Sequence, residues 1–587
     1  MEEKPKLGQK LTSFFSGALD ILHYQIVTKA IIAVWLFLLG RIFLALLNSS
    51  GRVAVTSGDY KFLITTWQGW LILLLGLASL FVYVAFDLNA KILISRNLMT
   101  GQRVGLWSSV DEGFRSIKRY LSISGIGIVL YIAFLSPILG ISLSISLTEN
   151  LYIPTFISSF IESSVLYSAL AGIAVIVFLS IGIGNLFILH GIVLDKLSAA
   201  EAGKQSRQLM KNNWKDYLKQ NVMLILAIAL SLAIIAAICL VLPLKIIYLL
   251  PMADSVRRFL TVFFVIAGVI VSVLADLFAT PVYLMKMTQL YYRYKSGEEL
   301  SYQETKRELG KRYKVVLIIA VIAVLAVDCA AYACFDRLFP AETKVKIVAH
   351  RGGGNEGAEN TVSGLEAALR LGAYGSEIDI QRTKDGGYVV NHDGTFKRVA
   401  GDNRKPEEMT LKEISRLSVD GKSVPTFEDM MSASKGRMVL FTELKGSTAD
   451  RRMADDAVAL IRKYQMEDEC VLISLKYGLI DYIETTYPDI QTGFLLFAAI
   501  GETAELNCDY IGLEEESATT DTIRSIHKEG KKVLVWTANE KGSQKQFLCS
   551  NADGIITDNV AQAMKLISAL GKRTDLERMI DRIKAVI

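Results

Sequence analysis

The runs Ile347-Val348-Ala349-His350-Arg351-Gly352-Gly353-Gly354 and Ser376-Glu377-Ile378-Asp379-Ile380, with Asn391-His392-Asp393 soon after, decide how the second half of this chain folds. Each of the first two is a short β-rich apolar stretch that carries or ends in polar residues. Glu377 and Asp379 stand two apart on one strand, so both side chains leave the same face. Two histidines, an arginine and the carboxylates Glu359, Glu377 and Asp379 thus collect near strand ends, and chemistry is expected there.

Outward from this stretch the pattern repeats. Strands are predicted at Ile347–Ala349, Ser376–Ile380, Val439–Glu443, Val471–Ser474, Gln491–Phe497, Tyr510–Leu513, Lys532–Trp536 and Gly554–Thr557, with helical stretches such as Thr361–Leu371, Ala454–Tyr464, Ile480–Tyr487 and Asp521–Lys528 in the gaps. Eight strand–helix units in about 225 residues fit an α/β (β/α)8 TIM barrel over 345–570. Tyr388–His392 follows the turn Lys384-Asp385-Gly386-Gly387 too closely for a helical crossover, so it reads as a hairpin returning from the second strand. The polar segment Phe396–Val424 is an excursion, after which Pro425-Thr426-Phe427 opens the next helix.

Such barrels build their sites at the C-terminal strand ends, where His350, Arg351, Glu377, Asp379, Glu443, Lys445, Trp536 and Asn539 all fall. Glu377, Asp379 and Glu443 offer hard oxygen ligands and no thiolate, which suits Ca²⁺ or Mg²⁺ rather than Zn²⁺. Arg351 brings a bidentate fork and Lys445 a point charge, both fitted to a phosphate. His350 and His392, two of five histidines in the chain, form an acid–base pair suited to neutral pH. His23, His190 and His527 lack such surroundings and read as structural.

The first half is a different material. Of 587 residues, 51% are hydrophobic and mean hydropathy is +0.35, with the apolar excess before residue 336. Runs able to cross a hydrocarbon layer of roughly 30 Å lie at Ala30–Leu47, Gly69–Phe86, Leu121–Leu147, Val165–Val193, Val222–Leu242, Phe259–Tyr283 and Val315–Phe335, an all-α polytopic domain of seven helices over 1–335. The N-terminal segment and the loops at 87–120, 195–220 and 286–314 hold 24 Lys and Arg, against five in the loops at 48–68, 148–164 and 243–258. The positive-inside rule makes the first set cytoplasmic, so seven crossings put everything after Phe335 outside the cell.

The same uneven distribution means that the net charge of +5 reports topology and not a nucleic-acid partner. No cleavable signal peptide is read at Met1 to His23, so the first span does the targeting. Arg41, Asp276 and Asp328 are charges within spans, costly if left alone in hydrocarbon, and Arg41 and Asp328 are expected to pair. Lys118-Arg119-Tyr120, Lys215-Asp216-Tyr217 and Lys311-Arg312-Tyr313 suggest a repeated two-span unit. The linker 336–344 reaches about 30 Å at most, which keeps the outside domain near the bilayer. The tail 571–587 is an amphipathic helix that either lies on the bilayer or packs on the protein. Six cysteines without a CxxC or a metal spacing read as buried apolar side chains.

The set His350-Arg351-Gly352, Glu359-Asn360-Thr361, Glu377-x-Asp379, His392-Asp393, Glu443-x-Lys445 and Trp536-x-x-Asn539 resembles the glycerophosphodiester phosphodiesterase family, over about Val345 to Leu570. The preceding residues look like the membrane domain fused to this catalytic domain in bacterial members. The resemblance implies hydrolysis of glycerophosphodiesters to glycerol 3-phosphate and an alcohol. It makes His350 and His392 the acid–base pair, Glu377, Asp379 and Glu443 the metal ligands, and Arg351 and Lys445 the phosphate holders. Trp536 and Asn539 would line the substrate pocket, with Glu359 a supporting hydrogen-bond acceptor. Substrates range from soluble glycerophospho-alcohols to lipid headgroups and teichoic-acid-type polymers, and Ca²⁺ is favoured over Mg²⁺ outside a cell. Ala358, where the family often has proline, and Gly352-Gly353-Gly354 depart from the family pattern in loop shape. Two other readings fit the chain: a phospholipase D-like enzyme on lysolipids, and a lipid-binding or transport protein whose barrel is a recognition module. The sequence carries no signal of oligomeric state.

Overall fold

Apolar runs of this length satisfy their backbone in lipid as helices, and the described residues of the first half are mostly helical. The computed structural model describes residues 7–52, 54–56, 61–100, 106–138, 161, 164–298, 300, 311–497 and 499–586. It divides into two units, Met1–Phe43 with Thr66–Ala333, and Leu44–Thr65 with Cys334–Ile587.

In the helical unit, five helices among the described residues are long and apolar enough to cross a membrane: Tyr24–Ser49, Trp67–Met99, Val165–Leu194, Ala199–Leu249 and Asp254–Ala275. The other two expected spans are helical over Ile123–Ile138 and Lys311–Ala333, and 139–147 lies outside the described residues. Apolar side chains such as Val34, Phe37 and Leu226 are exposed, as lipid-facing residues are. Several helices overrun the roughly 20 residues that a crossing needs; Trp67–Met99 is 33 residues long. The segments read as basic loops at 87–120 and 195–220 are therefore largely packed helix, with a polar interior. Asp87 and Lys91 form a buried ion pair at 2.7 Å. Asn89 donates to Ser116 Oγ at 2.7 Å and accepts from Tyr120 at 3.0 Å, and His190 Nε2 meets Thr288 Oγ1 at 3.1 Å.

Arg41 and Asp328 do not pair. Arg41 is exposed, while Asp328 is buried with no hydrogen-bond partner among the described residues on either carboxylate oxygen. Its helix packs on Asp254–Ser296, so similar depth in the sequence does not bring the two side chains together. The side chains of Asp276 and of 311–314, the third copy of the expected repeat, lie outside the described residues; Tyr120 and Tyr217 of the first two copies are both buried.

The second unit is the barrel. Its strands are β1 (Lys346–Ala349), β2 (Gly375–Arg382), β3 (Val439–Leu444), β4 (Cys470–Ser474), β5 (Thr492–Leu496), β6 (Tyr510–Glu514), β7 (Lys532–Trp536) and β8 (Gly554–Thr557). Neighbours in this order pair in parallel, and β8 closes on β1. Alternation sorts the core into two layers. Val348, Phe441, Val471, Leu495, Leu534 and Ile556 cluster inside, while Ile347, Ile378, Ile380, Leu440 and Leu472 pack outward under the helices. By the same parity His350, Glu377, Asp379, Glu443, Trp536 and Asp558 all point inward at one end.

Between β5 and β6 the expected helix is replaced by one 3₁₀ turn, Thr503–Glu505. The hairpin strand Tyr388–Val390 returns antiparallel along β2. The excursion is less polar in fold than in sequence, for Phe396, Met409, Ile414, Val419 and Val424 close a small core of their own. The C-terminal helix Asp575–Val586 packs against helix Lys541–Leu548, burying Met579 together with Arg578 and Asp581. All six cysteines are free; Cys470, Cys508 and Cys549 are buried as expected, but Cys329 and Cys334 are exposed.

One feature had no signal in the sequence. Ala54–Thr56, in the first loop of the helical half, adds antiparallel to Ala499–Gly501, just beyond the C-terminal end of β5.

Candidate active site

The glycines after His350 let three backbone segments meet at the mouth. Gly352 has φ +87°, and a Cβ at Gly353 or Gly354 would fall 2.3 Å from the carbonyl oxygen of Gly364 or Asp558. No side chain fits there, which explains the glycine-rich departure. Arg351 sits in the left-handed region with φ +48°, and the turn aims its backbone N–H at Glu377 Oε2, 2.8 Å away. Its guanidinium donates to Glu359 at 3.2 Å, and its buried Nε has no partner among the described residues. A directed donor is thereby left over for a ligand oxygen.

One ligand oxygen from each of Glu377, Asp379 and Glu443 lies within 4.8 Å of the others, and all three residues are buried. Lys445 Nζ donates to Asp379 at 2.8 Å and to Glu443 at 2.9 Å, and Asn360 Nδ2 donates to Asp379 at 2.9 Å. Burial, with Asp379 and Glu443 beside it, holds the Glu377 carboxyl well above the usual range. Glu443 is pushed up to about 7 by burial, against the pull of Lys445. Burial also acts on Asp379, but Lys445 and His392 outweigh it and hold that carboxyl below its ordinary value. Three buried carboxylates with one lysine, bonded to two of them, leave an excess of negative charge, and this set of hard donors fits a divalent cation.

Each histidine is held by a carboxylate at Nδ1. His350 Nδ1 is 2.7 Å from Asp558 Oδ1, and its Nε2 lies 3.9 Å from Glu377. His392 Nδ1 is 2.8 Å from Asp393. The two dyads differ in what lies behind them. Asn539 donates to Asp558 at 2.6 Å and accepts from its backbone N–H at 2.8 Å. Asp393 instead accepts from Arg398, at 2.8 Å and 3.1 Å, and the same guanidinium holds Glu359 at 2.7 Å through two nitrogens. Arg398 thus keeps Asp393 at about 2 and, despite burial, holds Glu359 below its ordinary value. Burial is also the main reason that His392 is pushed below 6.5.

The structure therefore brings the expected residues to one mouth, with Trp536 leaning over Gly512 and presenting a buried, unpartnered indole N–H. Asn539 spends its amide on Asp558. Three contributors carried no expected role: Asp558, Asn360 and Arg398. Asp558 was findable, since it stands two residues past Ile556 and shares its inward parity. Arg398 was not, because it comes from the excursion, where no period sets direction.

An eight-stranded parallel barrel with an acidic triad, phosphate-type cations and two histidine–carboxylate dyads at its mouth defines a hydrolytic barrel enzyme joined to a helical membrane domain. Residues 7–327 match the family described as the membrane domain of glycerophosphoryl diester phosphodiesterase, and residues 350–562 match the glycerophosphoryl diester phosphodiesterase family. The chain belongs to the membrane-domain glycerophosphoryl diester phosphodiesterases. A glycerophosphodiester phosphodiesterase of Caldanaerobacter subterraneus is 25% identical over 238 residues, which is 38% of this chain and 98% of that one. One from Bacillus altitudinis is likewise 25% identical, over 38% of this chain and 97% of its own length. A solved phosphodiesterase of Oleispira antarctica in complex with its product sn-glycerol-3-phosphate is 21% identical, over 38% of this chain and 96% of that chain, with a TM-score of 0.36.

Proposed function

We propose that the chain is a metal-dependent phosphodiesterase that cleaves glycerophosphodiesters displayed at the outer membrane face into glycerol 3-phosphate and an alcohol. The observation that carries this reading is the pair of histidine–carboxylate dyads beside the acidic triad. Glu377, Asp379 and Glu443 would hold the cation, Ca²⁺ in preference to Mg²⁺ in an extracellular setting, and the cation would supply charge stabilisation to the phosphoryl oxygens. Arg351, with its unpartnered Nε, and Lys445 bind and orient the phosphate. Trp536 closes the glycerol side of the pocket.

The dyads divide the proton work. Asp558 bonds His350 and Asn539 and holds the His350 ring through Nδ1, and His350 is the acid that protonates the leaving alkoxide. Asp393 already serves Arg398, and burial disfavours charge on His392, so His392 is the base toward the attacking oxygen. The strand Ala54–Thr56 supports the outside location: its pairing with Ala499–Gly501 requires the first loop and the barrel to share a side, as seven crossings also require.

The test is release of glycerol 3-phosphate by full-length protein from glycerophosphocholine, lysolipid and glycerophosphate polymer. EDTA and His392→Ala are each expected to lower release by at least ~10²-fold. Full activity in either case sinks the assignment, and a strong preference for lysolipid with no glycerol 3-phosphate formed would favour the phospholipase D-like reading.

A further inference from the structure

At the end of the barrel opposite the catalytic mouth, a cavity of about 610 Å³ lies between the segment Asp336–Val345, the loop Leu548–Asp553 and the C-terminal helix. Five cations line it, Arg337, Lys344, Arg573, Arg578 and Arg582. Two of them are committed to the protein. Arg578 pairs with Asp336 at 2.7 Å and donates to the Phe339 carbonyl at 2.7 Å. Arg573 pairs with Asp581 at 3.2 Å and donates to the carbonyls of Pro340 and Ala341, each at 3.1 Å. These bonds staple the linker to the final helix.

The remaining three are not neutralised. Arg582 donates to the Cys549 carbonyl at 2.6 Å and to Asn551 Oδ1 at 2.7 Å, yet it pairs with no carboxylate among the described residues, and burial pushes its pKa down. Arg337 and Lys344 are exposed and make no ion pair among the described residues. Of the acids lining the cavity, Asp336 is taken by Arg578 and Asp553 by His527, at 2.8 Å, and the Val533 N–H, at 2.7 Å. Only Glu342 is left to offset three cations. A half-buried guanidinium held in place without a counter-ion, beside a flexible ammonium, is the donor set that phosphate oxygens satisfy.

Chain distance says where such a phosphate would come from. Asp336 stands three residues beyond Ala333, the last residue of an apolar helix, and so within about 10 Å of its end. Lipid headgroups occupy that layer. We propose that this cavity binds a phosphate group, that of an anionic membrane lipid, on the face of the barrel remote from the catalytic mouth. The site rests on the geometry of this face and not on the reaction.

Full-length protein carrying His392→Ala, so that lipid is not turned over, is titrated in neutral detergent with dioctanoyl phosphatidylglycerol, dioctanoyl phosphatidylcholine and inorganic phosphate, and bound species are counted by native mass spectrometry. Arg582→Gln and Lys344→Gln are each expected to weaken one phosphatidylglycerol at least tenfold and to leave phosphatidylcholine unchanged. Displacement of that lipid by inorganic phosphate supports recognition through the phosphate. Tenfold weaker phosphate binding with unchanged lipid binding would assign the cavity to a free phosphate and overturn the lipid. Lys344 makes no ion pair among the described residues, so its replacement tests the site even if Arg582→Gln disturbs the fold. Affinities for both ligands within twofold of the parent in both variants overturn the proposal.

Discussion

The helical half and the barrel mouth both bury charge, but they balance it differently. Asp87 has Lys91 at 2.7 Å. Asp195 has Lys295 at 2.6 Å and accepts from Tyr291 and Gln205. In these two pairs each carboxylate owns a cation, and such pairs are close to neutral in net stability while fixing how helices meet; Asp328, buried without a hydrogen-bond partner among the described residues, is the exception. At the mouth three carboxylates cluster around one lysine, Lys445, which bonds only Asp379 and Glu443. An unbalanced buried set costs the fold stability, and it persists where a ligand supplies the missing charge. For these groups the contrast lies in charge balance and not in burial, which the two regions share.

Glu443→Gln breaks the contrast most severely. It removes one hard ligand and one negative charge together, so phosphodiesterase activity is expected to fall by about 10³-fold, the equivalent of several kcal/mol of transition-state stabilisation. Stability should move the other way in metal-free protein. Glu443 rises from 4.5 to about 7 on folding, so between those values the folded state holds a proton that the unfolded chain releases. That contribution is complete below about 4.5 and is lost as pH rises through about 7. Thermal melting in EDTA from pH 5 to 8 should therefore show Glu443→Gln gaining on the parent as pH rises. An unchanged difference across the range would mean that Glu443 does not carry the excess charge. The opposing slope from His392 is common to both proteins and cancels in the comparison.

Asp558→Asn has a smaller effect. The amide still reaches His350 Nδ1 but no longer places a carboxylate behind the ring, so kcat is expected to drop about 10²-fold with KM nearly unchanged. The melting curve should stay close to the parent's, since the other Asp558 partner, Asn539, can bond an amide as well. Equal loss in kcat and rise in KM would make Asp558 a substrate contact and not a positioning residue for an acid.

Much of this mouth was legible beforehand because strand alternation is a rigid rule. Once Glu377 and Asp379 were put on one strand, His350, Glu443, Lys445 and Trp536 followed by parity and by their places at strand ends. The hairpin carrying His392 followed from a turn too short for a crossover. Legibility failed where direction is set by tertiary packing. Arg398 reaches Glu359 and Asp393 from an excursion with no period, the first loop adds a strand to the segment after β5, and Asp328 is buried without the Arg41 that equal depth seemed to offer. The basic segment after the second span hid Asp87 and Lys91, since positive residues there read equally well as an exposed loop or as one face of a packed helix.

The Asp87–Lys91 pair is the sharpest control for the comparison. If its role is packing, Asp87→Asn alone strands a buried ammonium and is expected to destabilise the helical half by about 3–5 kcal/mol. Replacing both partners, as Asp87→Leu with Lys91→Met, removes the stranded charge and should recover most of that loss. Activity of the folded fraction toward soluble glycerophosphocholine should change less than twofold in either variant, because neither residue belongs to the unit that holds the mouth. Protein yield and melting in detergent report the first effect, and initial rates normalised to folded protein report the second. A double variant as unstable as the single one would show that the pair does more than cancel its own charge, and a loss of turnover in well-folded double variant would make the helical half a working part of the enzyme.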